Sequence, residues 1–261
     1  MAHGITRLEP SFHKRIWGTT KLLPWFPDPD ERTGEVWFRS GEESPLLAKL
    51  IFTSAKLSVQ VHPADDFARQ HENSRGKTEM WHVLEAAPGA VIAMGFRDHI
   101  TREQFEDALR ETRVEDLLQW VPAQAGDTFF IPAGVVHAIG AGLTICEIQQ
   151  NSDITYRLYD YGRPRELHLE KGLAVSQFKP HEGKVSLPVR CAHFSADILT
   201  VSGSGQVDSG PGQERMWMML EGSGTLNGKA YRKGELWKLD DNCAAVTIAA
   251  AEPTRILAAS V

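Results

Sequence analysis

Cysteine is scarce in this chain of 261 residues, and the three that it contains lie far apart. Cys146, Cys191 and Cys243 form no C-x-x-C pair. This argues against a disulfide framework and against a zinc site built from cysteines. The same usage fits a reducing compartment, so we expect a cytoplasmic protein.

An excess of basic residues is also missing. The formal net charge is −6, with 28 lysines and arginines against 34 acidic residues, so the chain has no electrostatic footprint for nucleic acid. No apolar run is long enough to span a bilayer, and "MAHGITRLEP" lacks the basic-then-apolar pattern of a secretion signal. We therefore expect neither nucleic acid nor membrane as a partner, while oligomeric state stays open.

Short apolar or alternating runs, separated by Gly, Pro, Asp and Asn, fill most of the sequence. Hydrophobic residues make up 42% of the chain, enough for a sizeable core. The runs that we interpret as strands are "LLAKLIF", "LSVQVH", "EMWHVLEA", "AVIAMGF", "DTFFIPA" and "LTICEIQQ". Their density predicts a mainly β protein, a sandwich or barrel.

Residues 100–121 are the clearest exception. Thr101 and Gln104 have the spacing of a capping box, which starts a helix. The apolar residues that recur at helical spacing are Phe105, Leu109, Leu117 and Leu118. We predict a helical insertion of one or two helices near residues 101–121, and a short helix in "DDFARQHE" after His62.

The polar segment 175–189, with two prolines, is a candidate linker. Beyond it, "RKGELWKL" repeats the pattern of "QAGDTFFIPAG", a turn leading into a strand. The second half thus resembles a degenerate copy of the first, without its histidines, and such a repeat suggests two stacked β-barrels. We predict an N-terminal lobe over residues 1–180 and a C-terminal lobe over 181–261.

Three short segments carry side chains suited to chemistry. Strand alternation places Gln60 and His62 of "SVQVHP" on one face. In "GKTEMWHVL" the same rule places Lys77, Glu79 and Trp81 together and His82 on the opposite face. In "GDTFFIPAGVVHAIG" glycine-containing turns lead to a histidine at 137.

The segment Gly126 to His137 resembles the second cupin motif. Together "SVQVHP", "GKTEMW" and "IPAGVVHAIGAG" are similar to the type I phosphomannose isomerases. The resemblance extends to "RIWG", "GEVW" and "EIQQNSDITYRLYDYGR", and covers about residues 15–175. It implies two cupin-like (jelly-roll) β-barrel lobes, of which the N-terminal one binds metal.

The resemblance implies four metal ligands, Gln60, His62, Glu79 and His137, which hold one Zn²⁺ per chain. Imidazole and carboxylate suit zinc, and a catalytic zinc keeps one position open. Zinc brings +2 and Glu79 −1, while the amide and the neutral imidazoles bring nothing. The site therefore keeps a formal +1, which can stabilise an enediolate. We interpret Gln60 as a ligand that binds the metal without cancelling its charge.

The remaining site residues also follow from the resemblance. Lysines matching Lys49 and Lys77 and an arginine matching Arg157 line the family's pocket, and Arg157 offers a planar fork for phosphate oxygens. Glu147 and Asp153 match acidic residues near the reacting carbons. Glu147 is a candidate base if partial burial raises its pKa. Lys49 is the competing base if its pKa is lowered near the metal, and the sequence leaves the two open.

The implied activity is the reversible isomerisation of mannose 6-phosphate and fructose 6-phosphate through a cis-enediol. An iron-dependent cupin oxygenase is one rival, because two histidines and one carboxylate can bind iron. A sugar-phosphate sensor without turnover is another. Arg157 could instead pair structurally with Asp153 or Asp160.

Departures from the longer family members resemble the short bacterial branch. The longer members carry a helical insertion of their own that this chain is too short to hold. Arg163 stands where they have a lysine. Their "SDN" triplet is Ser152-Asp153-Ile154 here. These differences leave phosphate contacts beyond Arg157 open.

Overall fold

Antiparallel strands are the main regular elements of the computed structural model, which describes residues 4–209 and 214–261. The helices are α1 Asp65–Glu72, α2 Arg102–Arg110, α3 Val114–Leu117 and α4 Leu169–Val175. The strands are β1 Ile5–Leu8, β2 Ser11–Thr19, β3 Thr33–Arg39, β4 Leu46–Phe52, β5 Val59–Val61, β6 Glu79–Ala86, β7 Val91–Phe96, β8 Leu118–Pro122, β9 Thr128–Ile131, β10 His137–Ile139, β11 Leu143–Gln150, β12 Tyr156–Tyr159, β13 Lys184–Val185, β14 Val189–Arg190, β15 Ser195–Val201, β16 Ser204–Asp208, β17 Arg215–Glu221, β18 Ser223–Leu226, β19 Lys229–Arg232, β20 Leu236–Leu239, β21 Ala245–Ala250 and β22 Thr254–Ser260.

The strands form four sheets that stack as layers. A five-stranded sheet (β12-β5-β10-β7-β8) packs on a seven-stranded sheet (β13-β9-β6-β11-β4-β3-β2) around a core that includes Trp81 and Ile92. The other face of the seven-stranded sheet packs on a six-stranded sheet (β1-β20-β17-β22-β15-β14). A four-stranded sheet (β16-β21-β18-β19) closes the stack over an apolar core that includes Trp217 and Trp237.

The seven-stranded sheet is buried on both faces, and this burial explains the amino-acid pattern of its strands. Every residue of β11 is buried. Cys146 and Ile148 belong to the core shared with the six-stranded sheet, whereas Ile145 belongs to the core shared with the five-stranded sheet. A strand covered on both faces needs no polar face, so "LTICEIQQ" begins as an apolar run. Its one acidic residue, Glu147, therefore needs a special environment.

The mainly β fold is confirmed, and β4, β6 and β11 have the bounds of the predicted runs. Helix α1 matches "DDFARQHE". Helix α2 begins after a capping box in which the Thr101 side chain accepts from the Gln104 backbone and the Gln104 side chain accepts from the Thr101 backbone. The helices lie against the outer face of the five-stranded sheet, where Phe105 and Leu173 are buried.

The predicted helical insertion is wrong at its end. Residues 118–121 belong to strand β8, in which Trp120 pairs with Ala93 and Val121 with Ile92 of β7. Trp and Val favour a strand, and Pro122 cannot continue a helix. Pairing with β7 therefore outweighs the helical spacing of the leucines.

The proposed linker crosses between the two stacked halves. Strand β13 pairs with β9 of the first half, and β14 pairs with β15 of the second. Strand β1, from the start of the chain, pairs with β20 in the six-stranded sheet. The division into lobes at residue 180 stays a prediction. In the part of the chain that the structure describes, no helix has the length and apolar character needed to cross a membrane.

Candidate metal centre and active site

Sheet register places the predicted ligands beside one another. In the five-stranded sheet, Gln60 on β5 lies directly across from His137 on β10 and from Arg157 on β12. In the seven-stranded sheet, Glu147 on β11 lies across from Trp81 on β6 and from Lys49 on β4. The two rows face each other across the interior of the first half, and Glu79 on β6 completes the set.

His62, Glu79 and His137 form a buried cluster. His62 Nε2 lies 3.6 Å from Glu79 Oε2, and His137 Nε2 lies 3.5 Å from Glu79 Oε1. One ligand atom from each residue lies within 4.8 Å of the others. Tetrahedral ligands bonded to zinc at about 2.1 Å are separated by roughly 3.4 Å, so these spacings fit one metal ion.

Backbone carbonyls orient both imidazoles. His62 Nδ1 lies 2.8 Å from the Ile154 oxygen, and His137 Nδ1 lies 2.9 Å from the Val135 oxygen. A carbonyl only accepts, so each Nδ1 carries the proton and each Nε2 keeps its lone pair. Burial lowers the pKa of His137 to about 4 and moves that of His62 well below its usual value, with the Lys77 charge acting in the same direction. Both rings are thus neutral, as metal ligands must be.

Gln60 reaches the same cluster. Its Nε2 lies 3.3 Å from His137 Nε2, and its Oε1 accepts a hydrogen bond of 3.2 Å from the Ser58 hydroxyl. Turning the amide over would aim Oε1 at the cluster, and the hydroxyl could then accept from Nε2. Sequence reasoning missed Ser58, although it stands two residues before Gln60 and therefore shares its strand face.

Glu79 is fully buried, and its charge is balanced by the Lys77 ammonium, which lies 2.6 Å from Oε2. Burial and the negative charge of Glu147 raise the pKa of Glu79 to about 7 even against that lysine. Neither Glu79 oxygen accepts a well-aligned hydrogen bond from the described residues. A buried carboxylate with spare lone pairs beside two imidazole nitrogens is a donor set that fits a divalent metal.

Lys49 and Glu147 form a second buried pair. Lys49 Nζ lies 3.0 Å from Glu147 Oε1, and the Trp81 indole donates to Oε2 at 2.8 Å. The ammonium also lies 4.6 Å from the centre of the Trp37 ring. Burial acts to raise the pKa of Glu147, but the positive charges of Lys49 and Lys77 outweigh it and hold the pKa at about 2. The condition under which the sequence favoured Glu147 as the base, a pKa raised by burial, is therefore not met, because Lys49 and Lys77 lie close to this carboxylate.

A cavity of about 480 Å³ opens above these groups. Its lining includes Gln60, Lys49, Lys77, Glu147, Asp153 and Arg157, together with the aromatic and apolar residues Trp17, Trp37, Trp81 and Ile139. The lining also holds Lys14, Arg15 and Arg165, none of which sequence reasoning selected as a site residue. "RIWG" marked the position of Arg15 without assigning it a role, and Arg165 carried no signal because its approach depends on a loop.

Most cations of the cavity have a carboxylate partner. Arg15 pairs with Glu35 at 2.7 Å, Lys14 pairs with Glu31, and Arg165 Nε and Nη2 each lie 2.6 Å from an Asp160 oxygen. Because these charges are neutralised within the protein, they are less available to an incoming anion.

Arg157 differs from these cations. Its Nη1 donates to the Glu166 carbonyl at 2.7 Å, and its Nε has no hydrogen-bond partner among the described residues. Asp160, a proposed structural partner, pairs instead with Arg163 and Arg165. The Arg157 backbone makes two hydrogen bonds with His168. Its N–H donates to His168 Nδ1, and its carbonyl accepts from the His168 backbone N–H. Arg157 therefore offers the cavity a guanidinium that forms no ion pair with any described carboxylate.

Asp153 and His82 lie away from the cluster. The Asp153 side chain is 69% exposed, at the cavity rim, 3.9 Å from the Arg39 guanidinium. His82 lies on the opposite face of β6, as predicted, and its Nδ1 is 3.0 Å from the Thr128 hydroxyl. Among the described residues, the His62, Glu79 and His137 group is the one cluster of metal-ligating type with this geometry.

The chain has relatives among known proteins, both in sequence and in structure. The chain is 36% identical to "Probable mannose-6-phosphate isomerase GmuF" of Bacillus subtilis, over 74% of this chain and 74% of that protein. It is 32% identical to mannose-6-phosphate isomerase ManA of the same organism, over 85% and 87%. The crystal structure of mannose 6-phosphate isomerase from Bacillus subtilis superposes with a TM-score of 0.86 at 26% identity, covering 99% of both chains. No protein-family model matches the chain.

Proposed function

Because the chain belongs to the mannose-6-phosphate isomerase family, we propose that it interconverts mannose 6-phosphate and fructose 6-phosphate in the cavity of its first half. The observation that carries this assignment to particular residues is the buried His62, Glu79 and His137 cluster beneath a cavity that also presents Arg157. An aldose–ketose isomerase needs a cationic centre for the enediolate and an anchor for the phosphate, and these groups supply both.

Zinc is the metal that we propose, one ion per chain. Two imidazoles and a carboxylate suit it, with Gln60 as the fourth ligand after its amide turns over. Bound there, zinc would polarise a sugar oxygen without changing oxidation state, which suits an isomerisation. The neutral amide and the cationic cavity favour this reading over an iron-dependent oxygenase.

The chain's own residues divide the remaining work. Arg157 would hold the phosphate, since its guanidinium has donors to spare. Glu147, ionised and within the cavity, would carry the proton between C1 and C2 of the open-chain sugar through a cis-enediol. Lys77 and Lys49 would steady the negative charge on the sugar oxygens. Asp153, at the exposed rim, would contact the substrate rather than the metal cluster.

The first prediction tests the activity and its metal together. We expect the purified protein to form fructose 6-phosphate from mannose 6-phosphate in a coupled assay. Activity should be lost after removal of the metal with a chelator and restored by one equivalent of zinc. Restoration by ferrous iron alone, with zinc inactive, would reject zinc as the metal of this site. Oxygen consumption by the iron-loaded protein, without formation of fructose 6-phosphate, would support the oxygenase. Tight sugar-phosphate binding by the zinc-loaded protein without turnover would support the sensor.

The second prediction concerns the phosphate anchor. Arg157→Lys should raise the KM for mannose 6-phosphate by roughly 10- to 100-fold, because a planar two-point contact is replaced by a single ammonium. The effect on kcat should be smaller, since the reacting carbons lie at the other end of the sugar. Steady-state kinetics measure both constants.

Arg102→Lys on α2 is the matched control, because Arg102 is an exposed residue that pairs with Glu106. This variant should leave KM unchanged. An Arg157→Lys enzyme with normal KM and reduced kcat would assign Arg157 to the chemical step instead of the phosphate.

A further inference from the structure

Lys77 contacts two of the atoms that the metal would need. Its Nζ lies 3.0 Å from His62 Nε2 and 2.6 Å from Glu79 Oε2. The side chain is buried, so the ammonium is largely shielded from bulk water. The other buried lysine of the cavity, Lys49, contacts Glu147 and Trp37 and none of the proposed ligands.

The lone pair of His62 Nε2 can serve one partner at a time. Since Nδ1 is protonated and donates to the Ile154 carbonyl, Nε2 has a single in-plane lone pair. The Lys77 ammonium, a donor without acceptor capacity, occupies that lone pair through its hydrogen bond. A metal ion bound at Nε2 needs the same lone pair. The two contacts are therefore mutually exclusive at His62, although Glu79 has lone pairs enough for both.

We propose that Lys77 is an exchangeable cation of the metal site, which gives up His62 when the metal binds and then turns toward the substrate. This inference rests on the proposed metal site and adds a step to it. Lys77 lines the cavity, so the displaced ammonium needs only to rotate about its own side-chain bonds to reach a bound sugar. The charge of Glu79 is balanced before the exchange by the ammonium and afterwards by the metal.

The exchange links metal loading to substrate binding. Before it, the Lys77 ammonium is bound to His62 and Glu79 and has fewer donors free for a sugar oxygen. After it, the lysine is released at the place where negative charge develops on the substrate. Coupling of this kind is reciprocal, so sugar phosphate should in turn strengthen metal binding.

The test is the zinc affinity of the full-length protein, measured by competition with a chromophoric chelator at one fixed pH. Lys77→Met removes the competitor while keeping an unbranched side chain. We expect its zinc dissociation constant to fall by roughly 10- to 100-fold relative to wild type, the range set by one hydrogen bond to a charged group. Lys77→Gln, a neutral residue that tolerates the polar surroundings, should also bind zinc more tightly and serves if the Met variant does not fold.

Lys49→Met is the matched control, because it removes a buried ammonium from the same cavity without touching a ligand atom. It should tighten zinc binding clearly less than Lys77→Met, because it removes the same charge but frees no lone pair on a proposed ligand. If zinc bound equally more tightly to both lysine variants, the effect would be general repulsion between the lysine charge and the metal, and the proposal would be overturned. Weaker zinc binding by both Lys77 variants would also overturn it, because Lys77 would then be holding Glu79 in place for the metal. Failure of the wild type to bind zinc at all would instead reject the proposed metal site itself.

Discussion

Glu147→Gln is expected to lower kcat by about 10²–10⁴, the usual contribution of a general base, while zinc binding and KM stay close to wild type. Glu147 is ionised because Lys49 and Lys77 hold its pKa at about 2 against the effect of burial. Its Oε1, although 3.0 Å from Lys49 Nζ, accepts no well-aligned hydrogen bond and so keeps a lone pair for a substrate proton. The amide of glutamine has the same shape but carries no charge and cannot take up the proton.

Lys49→Met is the companion variant, because the sequence left Lys49 and Glu147 as competing bases. Both variants should be assayed for turnover and for exchange of the C2 hydrogen of mannose 6-phosphate with deuterated water. If Glu147 carries the proton, exchange should disappear in Glu147→Gln and persist, at a reduced rate, in Lys49→Met. The reverse pattern would assign the proton transfer to Lys49 and leave Glu147 as its counter-ion.

Glu79→Gln is expected to weaken metal binding strongly and to lower turnover with it. The change removes the one formal negative charge among the proposed ligands and leaves the Lys77 ammonium without its carboxylate. Loss of a ligand whose charge offsets part of the cation should weaken zinc binding by at least roughly 100-fold. Zinc content after dialysis and the coupled assay measure the two effects, and Glu72→Gln, at an ion pair with Lys171 outside the cavity, is the control.

Gln60→Glu changes charge in the opposite direction at a neighbouring ligand. It should retain zinc at least as tightly as wild type, because an anionic ligand replaces a neutral one. Turnover should fall nevertheless, because the second carboxylate cancels the formal +1 on which stabilisation of the enediolate depends. Full activity in this variant would show that the surplus charge is not required, and would remove our explanation for an amide at position 60.

Parts of this site were predictable because strand alternation and register are simple rules. Period-two alternation placed Glu79 and Trp81 on one face of β6, Lys77 on the same side just before the strand, and His82 on the other face, as the structure has them. The same rule would have selected Ser58 had it been applied one step upstream of Gln60. Contacts within one strand are therefore open to sequence reasoning.

Other parts depend on strands that meet only in three dimensions. Nothing near Glu147 in sequence shows that Lys49 lies across from it on β4. The sequence therefore could not show that the pKa of Glu147 is lowered, since burial alone would raise it. Strand β8 was taken as helix because its partner β7 is distant in the chain, and Arg165 enters the cavity through a loop that no periodic pattern describes.

Strand β11 carries Glu147 on the side of the cavity and packs with its other face against the six-stranded sheet of the second half. Glu147 is flanked by Cys146 and Ile148, which are buried against the six-stranded sheet together with Leu257. The six-stranded sheet therefore packs against the strand that carries Glu147, the proposed base, and supports its position from behind. We expect that a fragment ending after the first half would expose the apolar face of the seven-stranded sheet to water. Glu147 would then lose its alignment, although every proposed metal ligand would still be present.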